Sequence, residues 1–112
     1  MKNYQNQLEA FQLCNIVYSK MRLSQCAFLW AVACKEGSTL TEIADRIGMT
    51  LGGVSRCVDV FGSKKKHSER HKNLGLVEIR DDLKDDRLQL IYLTKKGWGF
   101  IELFDKTFFC EI

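Results

Sequence analysis

The segment Leu40–Val58, LTEIADRIGMTLGGVSRCV, constrains this chain more than any other stretch. A tight pair of helices needs a small residue where the two cross, and Ala44 supplies it. It needs a residue that tolerates positive φ at the turn, and Gly48 stands four positions later. It also needs apolar side chains where the second helix faces the first; Ile43, Ile47, Val54 and Val58 have that spacing. The caps agree: Thr39 or Thr41 starts the first helix with Glu42 in its first turn, and Thr50 starts the second. The pattern predicts a helix-turn-helix.

The flanking periods complete a fold. Tyr4, Leu8 and Phe11, widened by Leu13, Ile16 and Val17, predict a helix from Tyr4 to about Ser19. Ser24 is the expected cap of a second helix carrying Phe28, Leu29, Trp30 and Val32 and ending near Gly37. The helix begun at Thr50 extends to about Phe61. Beyond it the period shortens: Leu76–Arg80 and Leu88–Leu93 predict two strands around a charged turn, and Thr94 caps a last helix through Trp98, Phe100 and Phe104. The expected class is mainly α with a small β-hairpin wing, a winged helix-turn-helix in the order α-α-α-α-β-β-α. Without prolines, repeats or a linker composition, residues 1–112 read as one domain.

With 46% hydrophobic and 28% charged residues, the composition is that of a folded rather than a disordered chain. No apolar run is long enough to span a bilayer, and the first residues, MKNYQNQLEAF, lack an apolar signal core. The expectation is a cytoplasmic protein without membrane contact. Five cysteines, Cys14, Cys26, Cys34, Cys57 and Cys110, are scattered with no C-x-x-C pair, and most are expected to be small buried hydrophobes. His67 and His71 are four apart, but the string His-Ser-Glu-Arg-His misplaces the glutamate for the H-E-x-x-H metal motif. No metal, cofactor or catalytic constellation is expected, and the chain does not read as an enzyme.

Charge is concentrated. Residues 64–72, KKKHSERHK, carry +4 in a chain whose net charge is +3, so the rest sums to −1. Placed directly after the second helix of the motif, Lys64, Lys65, Lys66, Arg70 and Lys72 are candidates for phosphate contacts that add salt-dependent affinity without sequence information. The other reading is a solvated charged face. Gly62-Ser63 either breaks the helix and leaves this segment a loop, or the helix runs on through it. The second helix of such a motif presents its N-terminal residues to base edges in the major groove, here Thr50, Leu51, Gly52, Gly53, Ser55 and Arg56. Thr50 divides its hydroxyl between capping and phosphate; Arg56 suits a guanine edge or a phosphate.

Leu40–Asp59 (LTEIADRIGMTLGGVSRCVD), Gly75–Arg80 (GLVEIR), Asp85–Gly97 (DDRLQLIYLTKKG) and Leu23–Trp30 (LSQCAFLW) together resemble the MarR family of winged-helix regulators. The resemblance implies a dimer that binds double-stranded DNA, wing tips reaching the minor groove, and N- and C-terminal helices forming the dimer interface. It implies recognition-helix positions for Ser55 and Arg56, and it places Asp85 and Arg87 on the family's Asp-x-Arg wing motif. The chain departs from the family at Leu51-Gly52-Gly53, where polar residues are usual, and in the extra basic segment. Its wing is also acidic: Asp81, Asp82, Asp85 and Asp86 face only Lys84 and Arg87.

Phe100, Phe104, Phe108 and Phe109 crowd the C-terminus, more apolar surface than one helix stripe needs. With Tyr4, Leu8 and Phe11 they are expected to form a two-fold homodimer interface. The expected function is a sequence-specific DNA-binding transcriptional regulator, acting as a repressor, with a small-molecule effector compatible but unindicated. The alternative is a winged-helix protein-interaction module, favoured by Gly52-Gly53 and the acidic wing.

Overall fold

The computed structural model describes residues 4–62, 74–84 and 88–110. Eight elements follow in order: α1 (Gln5–Val17), α2 (Leu23–Cys34), β1 (Ser38–Thr39), α3 (Leu40–Ile47), α4 (Leu51–Phe61), β2 (Val77–Asp81), β3 (Gln89–Leu93) and α5 (Lys95–Phe108). The helices and hairpin stand in the expected order. One element, β1, is additional, and two helix ends differ.

Ser24 does not cap α2. The cap is Arg22 in extended geometry (φ −101°, ψ 159°), whose N–H donates to Gln25 Oε1 at 2.7 Å, so Ser24 lies inside the first turn. The reach-back by Gln25 satisfies a donor that a serine cap two residues later would leave orphaned. At its other end α2 stops at Cys34, short of Gly37, because Gly37 takes φ +84° and donates its N–H to Ile91 O at 2.9 Å. That bond draws the chain into the sheet as β1.

Strand β3 lies between β1 and β2 and is antiparallel to both. Val77 faces Leu93 and Ile79 faces Ile91, while Ser38 meets Ile91 from the other side. Ser38 is fully buried, and its hydroxyl donates to Lys35 O at 2.7 Å while accepting from both terminal nitrogens of Arg46 at 3.3 Å. Arg46 also donates to Ala31 O at 3.2 Å, so one guanidinium joins α2, β1 and α3.

The core fills the space between these helices and the sheet. Phe28 and Phe61 stack with centroids 6.0 Å apart, and Tyr18 meets Phe61 edge-on. Leu29, Val32, Ile43, Val54, Leu76 and Ile91 close around them, all buried. Gly62 turns extended (φ −66°, ψ 158°) and ends α4 at Phe61, which overturns the alternative of a recognition helix running on through the basic segment. The returning chain bonds to the residues it left: Leu76 N–H to Phe61 O at 2.8 Å, Gly75 N–H to Gly62 O and Leu74 N–H to Val60 O, both at 3.1 Å. The flanks of the basic segment are thus held together at the C-terminal end of α4.

Helix α5 docks on that junction. Thr94 Oγ1 accepts the Gly97 N–H at 3.0 Å and donates to Gly75 O at 2.6 Å. Gly97 passes so close to the Leu76 carbonyl that a Cβ there would collide with it. Glu36 ties the far side, accepting from Leu93 N–H at 2.9 Å and from the Trp98 indole at 3.2 Å. Further along, α5 lies against α1: Phe11 meets Phe104 and Phe108 edge-on at 5.8 and 5.9 Å, and Asn6 Nδ2 donates to Cys110 O at 2.6 Å.

Candidate nucleic-acid interface

Local chemistry fixes α3 and α4 relative to each other. Thr39 Oγ1 accepts the Glu42 N–H at 3.2 Å and Glu42 Oε1 accepts the Thr39 N–H at 2.9 Å, a reciprocal cap. The bonds from Thr39 hold the Glu42 carboxyl below the usual carboxylate range. Gly48 turns at φ +68° and Met49 N–H returns to Ala44 O at 3.0 Å, the left-handed stop that only glycine adopts cheaply. Thr50 then opens α4, its hydroxyl accepting the Gly53 N–H at 3.0 Å. As an acceptor that hydroxyl serves the cap; its O–H remains a donor.

The apolar stripe of α4, Val54, Cys57, Val58 and Phe61, is buried, with Ala44 and Ile43 of α3 buried in the same cluster. The opposite face carries Leu51, Gly52, Ser55 and Arg56, all exposed. Among the described residues Arg56 has no charged partner, so its guanidinium is available to a ligand. The sequence-predicted reading residues therefore share one face of one helix, except Gly53, which is half-buried.

The wing offers less. Asp82 N–H closes the hairpin onto Leu88 O at 3.0 Å, and Asp82 Oδ1 accepts the Lys84 N–H at 2.9 Å. Arg80, a basic wing residue that strand patterning did not single out, is already engaged: it contacts Glu78 at 2.7 Å and lies 4.1 Å over the Tyr92 ring. The Glu78 hydrogen bond raises its pKa further. Between the wing base and the helices, Thr39, Leu40, Thr41, Leu51, Leu88 and Gln89 line a recess of about 180 Å³. Thr41, Leu88 and Gln89 come together at this recess only through tertiary folding, and their local patterns, a cap candidate and a strand, do not mark them as its lining. Lys64, Lys65, Lys66, Arg70, Lys72 and Arg87, with Asp85, Asp86, His67 and His71, lie outside the described residues.

The residues expected at a dimer interface divide. Tyr4, Leu8, Phe11 and Phe109 are exposed, at 67%, 50%, 53% and 71%. Phe100 is not available: it is buried against Trp30, with rings 5.9 Å apart, because the α5 stripe turns it into the core. Phe104 and Phe108 are half-buried, covered in part by Phe11 of the same chain. Between α1, α2 and α5 runs an apolar cleft of about 340 Å³ lined by Phe11, Cys14, Leu23, Cys26, Trp30 and Phe108 among others. Burial, with Cys26 beside it, pushes the Cys14 thiol up to about 12. The five cysteines are free thiols; Cys14 and Cys57 are buried, Cys26 is half-buried, and Cys34 and Cys110 are exposed, so fewer are buried than expected. Among the described residues no helix is long and apolar enough to cross a membrane, and no three metal-ligating side chains converge.

A helix-turn-helix followed by a hairpin wing and flanked by an α1–α5 pair defines the winged-helix class, and solved structures make the likeness specific. A point mutant of MepR from S. aureus, bound to an oligodeoxyribonucleotide, superposes with a TM-score of 0.70 at 22% identity, covering 93% of this chain and 68% of that one. A cysteine-to-serine mutant of MarR from E. coli, complexed with operator DNA, gives 0.65 at 23% identity, covering 91% and 67%. PcaV from Streptomyces coelicolor, with its natural ligand, gives 0.61 at 22%, covering 91% and 71%. At these identities the likeness establishes the fold, the winged helix of MarR-type regulators. No protein-family model matches the chain, and no curated protein matches it in sequence.

Proposed function

We propose that this chain is a transcriptional regulator that binds double-stranded DNA as a homodimer, placing α4 in the major groove and acting as a repressor. The observation that carries the reading is the exposed face of α4, where Ser55 and Arg56 stand beside a capped, backbone-exposing first turn. MepR and MarR, which share this fold, were solved with DNA. Lys64, Lys65, Lys66, Arg70 and Lys72, which follow that helix in the sequence, add phosphate affinity, and so does Arg87, which lies between β2 and β3 in the sequence. Tyr4, Leu8, Phe109 and the outer surfaces of Phe11, Phe104 and Phe108 supply the two-fold contact. The apolar cleft between α1, α2 and α5 is the place for a small apolar effector.

Gel retardation at low salt tests the reading. The wild-type chain shifts duplex DNA, and Arg56→Ala weakens the shift about tenfold or more, the worth of a good bidentate contact, with no change in melting. The alternative of a protein-interaction module is favoured by one observation, that Arg80 is spent on Glu78 and Tyr92 while Asp81 is exposed and Asp82 half-buried. Co-purification with a protein partner that duplex DNA does not displace, together with no shift, decides for it.

A further inference from the structure

The first turn of α4 offers bases few side-chain hydrogen-bonding groups. Thr50 Oγ1 accepts the Gly53 N–H, which leaves its O–H as the one side-chain donor of the turn, and Gly52 and Gly53 have no side chains. The two glycines differ in cause. A Cβ on Gly53 would stand 3.0 Å from Met49 Cε and 3.2 Å from Thr50 Oγ1, so a larger residue there requires its neighbours to shift by a few tenths of an ångström. Gly52 is exposed, and nothing lies within 4 Å of where its Cβ would be. Glycine there lowers helix stability and gives the isolated chain nothing in return. A missing Cβ is useful at Gly52 only to a surface that approaches from outside.

Leu51 is the side chain this turn extends into solvent, 53% exposed, and with Leu88, 42% exposed, it borders the recess between α4 and the wing base. On the major-groove edge of duplex DNA the apolar group is the 5-methyl of thymine. We infer that Leu51 reads thymine 5-methyl groups and that Gly52 lets the α4 backbone come close enough for it to do so. The inference rests on the duplex-binding reading above and adds the base that the turn selects. Arg56, one turn further along, is left for a guanine edge or a phosphate.

The test selects duplexes with a randomised centre on the wild-type chain, then replaces each dT singly with dU, which removes only the methyl. At one position per half-site dU weakens binding about fourfold, the equivalent of one buried methyl group, and Leu51→Ala binds the dT and dU forms equally. Gly52→Ala melts at the same temperature or higher, because its Cβ meets nothing, yet binds the selected duplex more weakly. Equal binding of dT and dU forms at every position, or a Leu51→Ala variant that still tells them apart, overturns the thymine reading and leaves duplex binding standing. Unchanged binding by Gly52→Ala overturns the close approach. If no duplex is retained at low salt, both this inference and the proposed function fall.

Discussion

Cys14 and Cys57 keep their protons because of where they sit. Burial pushes their thiols up to about 12 and about 11, against 9.0 for the unfolded chain. Below pH 9 both states are protonated and the contribution to stability is whole. Above it the unfolded chain ionises first, so stability falls as pH rises toward the folded values. Urea midpoints should hold level between about pH 7 and 8.5 and drop at about pH 10. A Cys14→Ala/Cys57→Ala double variant should drop less than the wild type; equal drops would contradict the assignment. At this scale the sequence was readable wherever one residue and its neighbours within a turn decide the outcome. Thr39, Gly48, Thr50 and Thr94 do what their types predict. Ser24 does not, because Gln25 favours a cap at Arg22 and that competition is not visible in the serine itself.

Helix α4 works as an element with two faces. Its buried face ends in Phe61, which stacks on Phe28 and anchors the returning chain through its carbonyl at 2.8 Å. Phe61→Ala should cost about 3–5 kcal/mol, a large share of the roughly 5–15 kcal/mol that holds a domain together. Thermal melting measures it, and a loss under about 1 kcal/mol would show that the site collapses around the smaller residue. The elements legible in the sequence were those long enough to show a period, the five helices and the two wing strands. Strand β1 has two residues and exists only because Gly37 turns the chain onto Ile91, far away in sequence. Likewise, the extended backbone of Gly62 and the hydrogen bonds of Leu74, Gly75 and Leu76 back to the end of α4 show that the helix stops before the basic segment.

For the whole molecule, the homodimer proposed above rests on the α1–α5 pair. The C-terminal aromatic cluster suggested a wholly external patch, but folding spends part of it internally: Phe100 enters the core and Phe11 covers Phe104 and Phe108. What remains outside is Tyr4, Leu8, Phe109, part of Phe11 and Leu103. Leu8→Lys with Phe109→Lys should therefore convert a dimer to a monomer in light scattering without lowering secondary structure. An unchanged mass would place the interface elsewhere. A monomeric variant should also bind duplex more weakly, since a two-fold protein loses one of its two half-site contacts.

The salt dependence of duplex binding by the wild-type chain tests most directly whether α4 and the lysines after it engage DNA. Phosphate neutralisation by Arg56 and those lysines predicts that log affinity falls linearly with log salt concentration, with a slope of about −0.9 per phosphate contacted. A Lys64→Ala/Lys65→Ala/Lys66→Ala variant should give a shallower line. A measurable affinity whose line is steep for the wild type and shallower for the variant is the predicted result. No duplex binding at low salt, or binding indifferent to salt, would contradict it.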